Sequence, residues 1–184
     1  VFGADVLRTY VLFMGDYEQA APWSENSVKG CKRFVDRIWN LLDIVKDGDE
    51  YSAELMSSMH KTVKKVSEDI EAMKFNTAIA AMMALLNEIG AKKEINKAEY
   101  RTLLILLNPF APHITEEIWE NMGFGGQIAH AQWPKFDEAK CVDNEIEIAV
   151  QINGKVREKL VIAAEAQTDE VIAAAKALDK IAEA

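Results

Sequence analysis

Three basic residues, Lys29, Arg33 and Arg37, recur at four-residue intervals in a predicted helix. This spacing places their side chains along one helix face, opposite an apolar face that includes Phe34 and Ile38. A row of ammonium and guanidinium groups can contact the phosphates of an RNA stem, which positions the strand without reading its sequence. A solvated helix face has the same pattern, and the residue types leave both interpretations open.

A second basic group, formed by Lys61, Lys64 and Lys65, lies opposite an apolar seam on the next predicted helix. The same two interpretations apply to it. We expect the phosphate-binding interpretation to gain weight if the folded chain turns both groups to the same side.

Tryptophan side chains are the residues that could stack on exposed bases. Trp39 and Trp119 lie at the edges of apolar helix faces, which favours core packing instead. Trp133 lies in a predicted loop, where its role is open. His113 falls in the first turn of its helix, and we expect a packing or hydrogen-bonding group there and not a catalytic base.

The other reactive residues are scattered along the chain. Cys31 and Cys141 are far apart without CxxC spacing, which indicates buried or free thiols of a reducing compartment. The histidines, His60, His113 and His130, do not cluster either. No Ser/His/Asp arrangement, glycine-rich phosphate loop or paired acids can be recognised. The sequence therefore predicts neither a catalytic residue nor a metal site in this chain.

Composition limits the function further. The 184 residues are 49% hydrophobic and 28% charged, with a net charge of -9 and a pI near 4.9. A sequence-blind nucleic-acid binder is normally basic, so we expect any RNA contact to be small or guided by other parts of a longer protein, and no DNA partner. No apolar run approaches the roughly 20 residues that span a bilayer, so no membrane partner is expected. The first residue, Val1, and the uncapped helical end favour a piece of a longer polypeptide.

Helical patterns of apolar residues dominate the first two thirds of the chain. A short helix is predicted from Gly3 to Met14, and a second begins after the N-cap residue Ser24 and runs to about Lys46. Asn96 is suited to cap a later helix whose end is apolar on nearly all sides, which predicts a central position. The pattern is that of a helical bundle, with further helices at 56–73, 75–91 and 112–122.

The composition changes after Gly123. Residues 125–144 form an irregular, polar connection of the kind found at domain boundaries. Alternating residues then predict two strands around Asn153-Gly154, the strongest local signal for a β-hairpin, and a helix from Thr168 to Ala184 closes the chain. A lone hairpin is marginal in water, so these residues predict a small, truncated α+β module.

Four stretches, in order, resemble the class I aminoacyl-tRNA synthetases, and in particular the bacterial leucyl-tRNA synthetase family. They are Val1–Arg8, Pro22–Ser24 followed by Arg33–Trp39, Asn108–Trp119 with its Asn-Pro-x-Ala-Pro-His sequence, and Gln151–Arg157 with its Asn-Gly-Lys-Val-Arg hairpin. The first and third are shared across related synthetases. The second and especially the fourth indicate the leucine enzymes.

The resemblance implies a mainly α fold, with a class I anticodon-binding helical bundle followed by the truncated α+β module with its hairpin and helix. Residues 1–23 would end the connection to the catalytic core, and residues 24–124 would form the bundle. Residues 125–144 would be the linker and residues 145–184 part of a C-terminal α+β domain.

The resemblance also implies that the whole enzyme joins leucine to its tRNA with ATP and Mg²⁺ in the cytoplasm, and hydrolyses mischarged tRNA in an editing domain. The catalytic and editing domains would lie before Val1, so this chain would hold no catalytic residue, cofactor or metal. Its partners would be leucine-accepting tRNA and the enzyme's other domains. The residues predicted to contact the tRNA backbone are Lys29, Arg33, Arg37, Lys155 and Arg157.

Two other functions stay open at this stage. One is the equivalent part of a valyl-, isoleucyl- or methionyl-tRNA synthetase. The hairpin directly after the bundle disfavours this alternative. The other is a stand-alone helical module that binds protein.

Overall fold

A computed structural model describes residues 2–15, 22–142, 145–152, 155–163 and 166–177, with only the backbone described at several positions of the last two strands. The chain divides into two compact units, Val1–Cys141 and Val142–Ala184, each of which is described by itself.

The first unit is a helical bundle around one hydrophobic core. Two short strands, Val45–Lys46 and Ile95–Asn96, form a minimal parallel ladder in which Val45 pairs with Ile95 and Lys46 with Asn96. The elements are α1 (Ala4–Phe13), α2 (Glu25–Asn40), β1 (Val45–Lys46), α3 (Met56–Glu71), α4 (Phe75–Lys92), β2 (Ile95–Asn96), α5 (Lys97–Leu107) and α6 (Pro112–Asn121).

Helix α5 is the centre of the bundle, as the sequence predicts. Leu103, Leu104, Leu106 and Leu107 are fully buried. Asn96 caps the helix in a capping box, because its side chain accepts a hydrogen bond from Glu99 N at 3.0 Å while Glu99 Oε2 accepts one from Asn96 N at 2.9 Å. The predicted capping role of Asn96 is confirmed.

Glu99 also fixes the loop that precedes α3. Its other carboxylate oxygen, Oε1, accepts hydrogen bonds from Ser52 N at 2.8 Å and Ser52 Oγ at 2.5 Å. Lys92 Nζ donates to the same Ser52 hydroxyl at 2.7 Å. A fully buried carboxylate is costly unless its lone pairs are satisfied, and this network satisfies them.

Helix α2 is shorter than the predicted span to Lys46, and that prediction is wrong. The helix ends at Asn40 and is followed by a 3-10 turn, Leu41–Ile44, and by β1. Two tertiary interactions act at this end: the buried Tyr100 hydroxyl donates to Ile38 O at 2.7 Å, and β1 pairs with β2. Pairing with a distant segment overrides the local helical pattern here.

The corner between α5 and α6 is held by α1. Asp5 accepts hydrogen bonds from Ile114 N at 2.7 Å and from His113 N at 3.3 Å, so it caps the N-terminus of α6. Arg8 Nη2 donates to Pro109 O at 3.0 Å. Two of the stretches that carry the family resemblance therefore bind each other.

Residues 125–141, named here the return segment, pack along α3 and belong to the first unit. Trp133 Nε1 donates to Ser67 Oγ at 2.8 Å, and Asp137 N donates to His60 Nδ1 at 3.0 Å. These contacts give the irregular segment, which was predicted to be a linker, a fixed path over the bundle.

The second unit holds an antiparallel pair of strands and a helix: β3 (Glu145–Ile152), β4 (Lys155–Ala163) and α7 (Thr168–Lys176). The pairing shifts register between Val150 and Gln151. The predicted turn residues, Asn153 and Gly154, and residues 178–184 lie outside the described residues. The predicted architecture, a helical bundle followed by a small α+β unit, is confirmed.

Within the described part of the chain, no helix combines the length and the apolar character that crossing a membrane requires.

Candidate nucleic-acid interface

Helix α2 presents the first predicted basic group on its outer side. Its inner face is buried, and Ser24 caps its start by accepting a hydrogen bond from Ser27 N at 3.3 Å. Lys29 and Arg33 are exposed, and neither forms a hydrogen bond or an ion pair with the described residues. These two side chains, named here the α2 ridge, are the open cationic groups of the helix.

Arg37 has a different environment from the other two. Its Nη1 donates to Asn87 Oδ1 at 2.9 Å and its Nη2 donates to Leu86 O at 3.0 Å. Both partners lie on α4, so the guanidinium joins the two helices. Because arginine carries five N–H donors, the side chain can still offer some of them to a phosphate.

Helix α2 carries a net positive charge, although the whole chain is negatively charged. The helix therefore favours an anionic partner. The helix carries four basic residues, Lys29, Lys32, Arg33 and Arg37, against two acidic ones, Glu25 and Asp36. Lys32 and Asp36 neutralise each other, with Lys32 Nζ 2.5 Å from Asp36 Oδ2. The residual positive charge of α2 is therefore concentrated on the ridge and Arg37.

The second basic group is largely neutralised by its neighbours. Lys64 Nζ lies 2.8 Å from Glu138 Oε1, and this hydrogen bond raises the lysine pKa. Lys65 Nζ lies 2.6 Å from Asp69 Oδ1. Lys61 is half-buried. The ion pair with Glu138 ties Lys64 to the return segment, so this group does not extend the α2 ridge as an open cationic surface.

Lys155 and Arg157 lie on β4, in the second unit, where Lys155 pairs with Ile152 of β3. The side chains of both residues are outside the part of the chain that the structure describes, so their contact with the tRNA backbone stays a prediction.

The four tryptophans differ in exposure. Trp119 is buried, as predicted, and its Nε1 donates to Gly125 O at 3.0 Å. Trp39 is 40% exposed, so the prediction that it packs in the core is wrong. Trp39 lies between the buried Ile38 and the exposed Asn40, at the margin of the buried face of α2, so part of its ring stays at the surface. Trp23 is exposed, and Trp133 lies partly exposed over α3.

A groove beside α5 brings together residues that the sequence pattern did not single out. It has a volume of about 660 Å³ and lies between α5, the loop before α3 and the return segment. Arg101, Lys135 and Trp133 line it. Arg101 is the exposed residue directly before the buried run 102–107 of α5, and no pattern in the sequence links it to Trp133 and Lys135.

The histidine and the cysteines serve the fold. His113 Nδ1 lies 2.7 Å from Asp5 Oδ1, as a hydrogen-bonding role predicts. Burial raises the pKa of the Cys31 thiol, and Cys141 Sγ donates to Asp137 O at 3.3 Å. Among the residues that the structure describes, no group of three or more His, Cys, Asp or Glu side chains is placed to hold a metal ion.

Comparison with known proteins identifies the family. The sequence model described as the anticodon-binding domain of tRNA ligase matches residues 52–173, more than half of the chain and parts of both units. The chain belongs to the anticodon-binding domain family of tRNA ligases.

Two similar members of the family are both leucine--tRNA ligases. The chain is 54% identical over 170 residues to a leucine--tRNA ligase of Alkaliphilus oremlandii, across 92% of this chain and 21% of that protein. It is 43% identical to the leucine--tRNA ligase of Bdellovibrio bacteriovorus, across 98% of this chain and 23% of that protein. The chain therefore spans less than a quarter of the length of these curated relatives.

The fold has a counterpart among solved structures. The ternary complex of Agrobacterium radiobacter K84 agnB2 LeuRS with tRNA and LeuAMS contains a region similar to 99% of this chain, at 28% identity and a TM-score of 0.73. The region makes up 26% of that LeuRS chain.

Proposed function

We propose that this chain is the tRNA-binding part of a leucine--tRNA ligase, and that it docks tRNA without carrying out the chemistry. The observation that carries this proposal is the 54% identity to a leucine--tRNA ligase over 92% of the chain. The family match, to an anticodon-binding domain, supports tRNA as the ligand.

The α2 ridge supplies the contacts in this proposal. Lys29 and Arg33 are exposed and free of acidic partners among the described residues, so binding a phosphate breaks no existing ion pair. Arg37 positions the helix against α4 and can share its remaining donors with the same strand. Lys155 and Arg157 of the second unit are proposed as further backbone contacts. All five side chains hold phosphates and read no base.

The chemistry would take place in other parts of the longer protein. There leucine would be activated with ATP and Mg²⁺ and transferred to tRNA, and mischarged tRNA would be hydrolysed, in the cytoplasm. Holding the tRNA lowers the entropic cost of bringing its distant acceptor end to the active site. Losing the contacts of this chain would therefore weaken charging without removing the reaction.

A binding titration tests the tRNA contact directly. We expect the chain to bind leucine tRNA at low salt, and Lys29→Gln with Arg33→Gln to reduce the salt slope of binding by about 1 to 2 units. Lys32→Gln is the matched control, because Lys32 lies on the same helix but is paired with Asp36. Equal affinities for the double variant and the wild-type chain would show that the ridge does not bind tRNA.

A chimera tests the amino-acid identity. The matching segment of the Alkaliphilus oremlandii ligase would be replaced by this chain, and charging of leucine, valine and isoleucine tRNAs would be compared. We expect leucine charging to persist in the chimera and to fall when Lys29 and Arg33 are both changed to Gln. A correctly folded chimera without leucine charging would contradict the proposal.

A further inference from the structure

The groove beside α5 is built entirely from the first unit. Helix α5 contributes uncharged residues and also the charged Lys97 and Arg101, whereas the loop before α3 contributes Asp49 and the return segment contributes Lys135. The apolar and aromatic part of the lining includes Ile105 of α5, Tyr51 of the loop before α3 and Trp133 of the return segment.

The cations of the groove are unequally compensated. Lys97 Nζ lies 2.6 Å from Asp47 Oδ1, and this pairing raises the pKa of the lysine and commits its charge. Arg101 lies over the Trp119 ring, 5.4 Å from its centroid, and forms no ion pair with a described carboxylate. Lys135 also forms none within the described ranges. Arg101 and Lys135 are thus available to an anion.

Trp133 supplies a fixed aromatic surface on the same groove. The side chain is 36% exposed, although its Nε1 is held by Ser67 Oγ at 2.8 Å. A ring already held in place loses little conformational entropy when a base stacks on it. Stacking on aromatic rings is tolerant of base identity and requires an unpaired base.

We propose that this groove receives one unpaired nucleotide of the bound RNA, with its base against Trp133 and its flanking phosphates at Arg101 and Lys135. The inference rests on the proposed function, because tRNA is the RNA in question. A volume of about 660 Å³ suits a ligand of nucleotide size, and stacking on Trp133 requires an unpaired base and not a base-paired stem. The groove would add a stacking site to the phosphate contacts of the α2 ridge.

The test uses the whole chain, a short single-stranded RNA that carries 2-aminopurine and a hairpin RNA of the same composition. We expect 2-aminopurine fluorescence to fall on binding, and Trp133→Leu to weaken binding by about 5-fold or more. Arg101→Gln and Lys135→Gln should each lower the salt slope by about 0.7. Trp23→Leu, which removes an exposed tryptophan outside the groove, should leave affinity unchanged.

Ser67→Ala controls for a loosened return segment, since it removes the hydrogen bond to Trp133 and leaves the ring. We expect it to weaken binding less than Trp133→Leu does, because the ring remains available for stacking but is held less firmly. The inference is overturned if Ser67→Ala weakens binding as much as Trp133→Leu, or if Trp133→Leu, Arg101→Gln and Lys135→Gln all bind like the wild-type chain. If Trp133→Leu does not fold, the salt slopes of Arg101→Gln and Lys135→Gln test the inference, and slopes equal to that of the wild-type chain overturn it.

The two proposals fail in different ways. Binding of tRNA that depends on Lys29 and Arg33 but not on the groove residues would retain the proposed function and overturn the groove inference. Binding of the single-stranded RNA that depends on Trp133, without binding of leucine tRNA, would retain the groove and overturn the function. Absence of binding to either RNA would overturn both.

Discussion

Asp5 Oδ2 accepts a hydrogen bond from Ile114 N at 2.7 Å, so a carboxylate on the first helix caps the sixth. The same side chain accepts hydrogen bonds from His113 N and contacts His113 Nδ1. The N-terminus of a helix favours a negative charge, because its first N–H groups are unpaired and its dipole is positive there. The function of this buried aspartate is therefore to fix the α5–α6 corner against α1.

Removing the cap should cost stability. We expect Asp5→Ala to lower the free energy of unfolding by about 2 kcal/mol, since it leaves two N–H groups of α6 without a partner. Urea denaturation of the first unit followed by circular dichroism measures this loss. Asp36→Ala is the control, because the exposed pair of Asp36 with Lys32 should contribute less than about 0.5 kcal/mol. Similar losses for the two variants would show that the cap is not stabilising.

Substitution of the two arginines of α2 should have different effects, with Arg33 affecting tRNA binding and Arg37 affecting stability. Arg33→Gln is expected to reduce the salt slope of tRNA binding by about 0.9 without changing the unfolding midpoint, because its side chain forms no contact that the fold needs. Arg37→Gln should lower stability by about 1 kcal/mol, because it removes hydrogen bonds to Asn87 and Leu86. The reverse pattern, with Arg33 stabilising and Arg37 neutral, would contradict these assignments.

The return segment should loosen in mild acid. His60 Nδ1 accepts a hydrogen bond from Asp137 N, so the contact requires the neutral ring. Burial and the nearby Lys140 lower the pKa of His60 below its usual 6.5, although Asp137 opposes the shift. In the unfolded chain His60 takes up a proton at a higher pH than in the folded chain. Stability is therefore retained above about pH 6.5 and lost as the pH falls below it.

Urea denaturation at several pH values between about 5.5 and 7.5 measures the acid effect, in a window above the titration of ordinary carboxylates. His60→Asn is the informative variant, because its amide oxygen can accept the Asp137 hydrogen bond but does not titrate. We expect its stability to vary less with pH than that of the wild-type chain. An identical pH profile for both would assign the effect to another group.

Lys93 ends α4 in the left-handed region, with φ of 60°. A side chain costs about 1 kcal/mol in this conformation, whereas glycine adopts it freely. We expect Lys93→Gly to raise the free energy of unfolding by about 1 kcal/mol. Ala91→Gly, two residues earlier and inside the helix, should lower it by a similar amount. A loss of stability in both variants would exclude relief of strain at Lys93.

Local patterns predict the elements of this fold better than their ends. The helices, the Asn96 cap and the burial of the leucines of α5 follow from spacing and capping chemistry. The end of α2 does not, because Tyr100 and β2 act on it from positions far along the chain. The sequence places Trp39 at the edge of the apolar face of α2, and no local pattern shows on which side of that edge its ring lies.

The sequence predicts which cations of the candidate site lie at the surface, but it does not predict which of them are bound to neighbouring residues. The four-residue spacing identifies Lys29 and Arg33 as surface cations, but no local signal shows that Arg37 meets α4 or that Glu138 neutralises Lys64. The groove was missed because its lining comes from three separate segments. Arg101, Trp133 and Lys135 become neighbours only when the return segment folds over the bundle.

The network around Glu99 also determines how the groove is prepared for a ligand. The loop before α3 forms one wall of the groove, and it is held by the hydrogen bond from Ser52 N to Glu99. Gly48 of the same loop packs closely on Asn96, so that a methyl group added at Gly48 would lie 2.9 Å from Asn96 Cβ. This wall is ordered before any ligand arrives. Association should then proceed at a rate limited by electrostatic encounter, without a slow rearrangement, and any selectivity between ligands should be expressed in how long they stay.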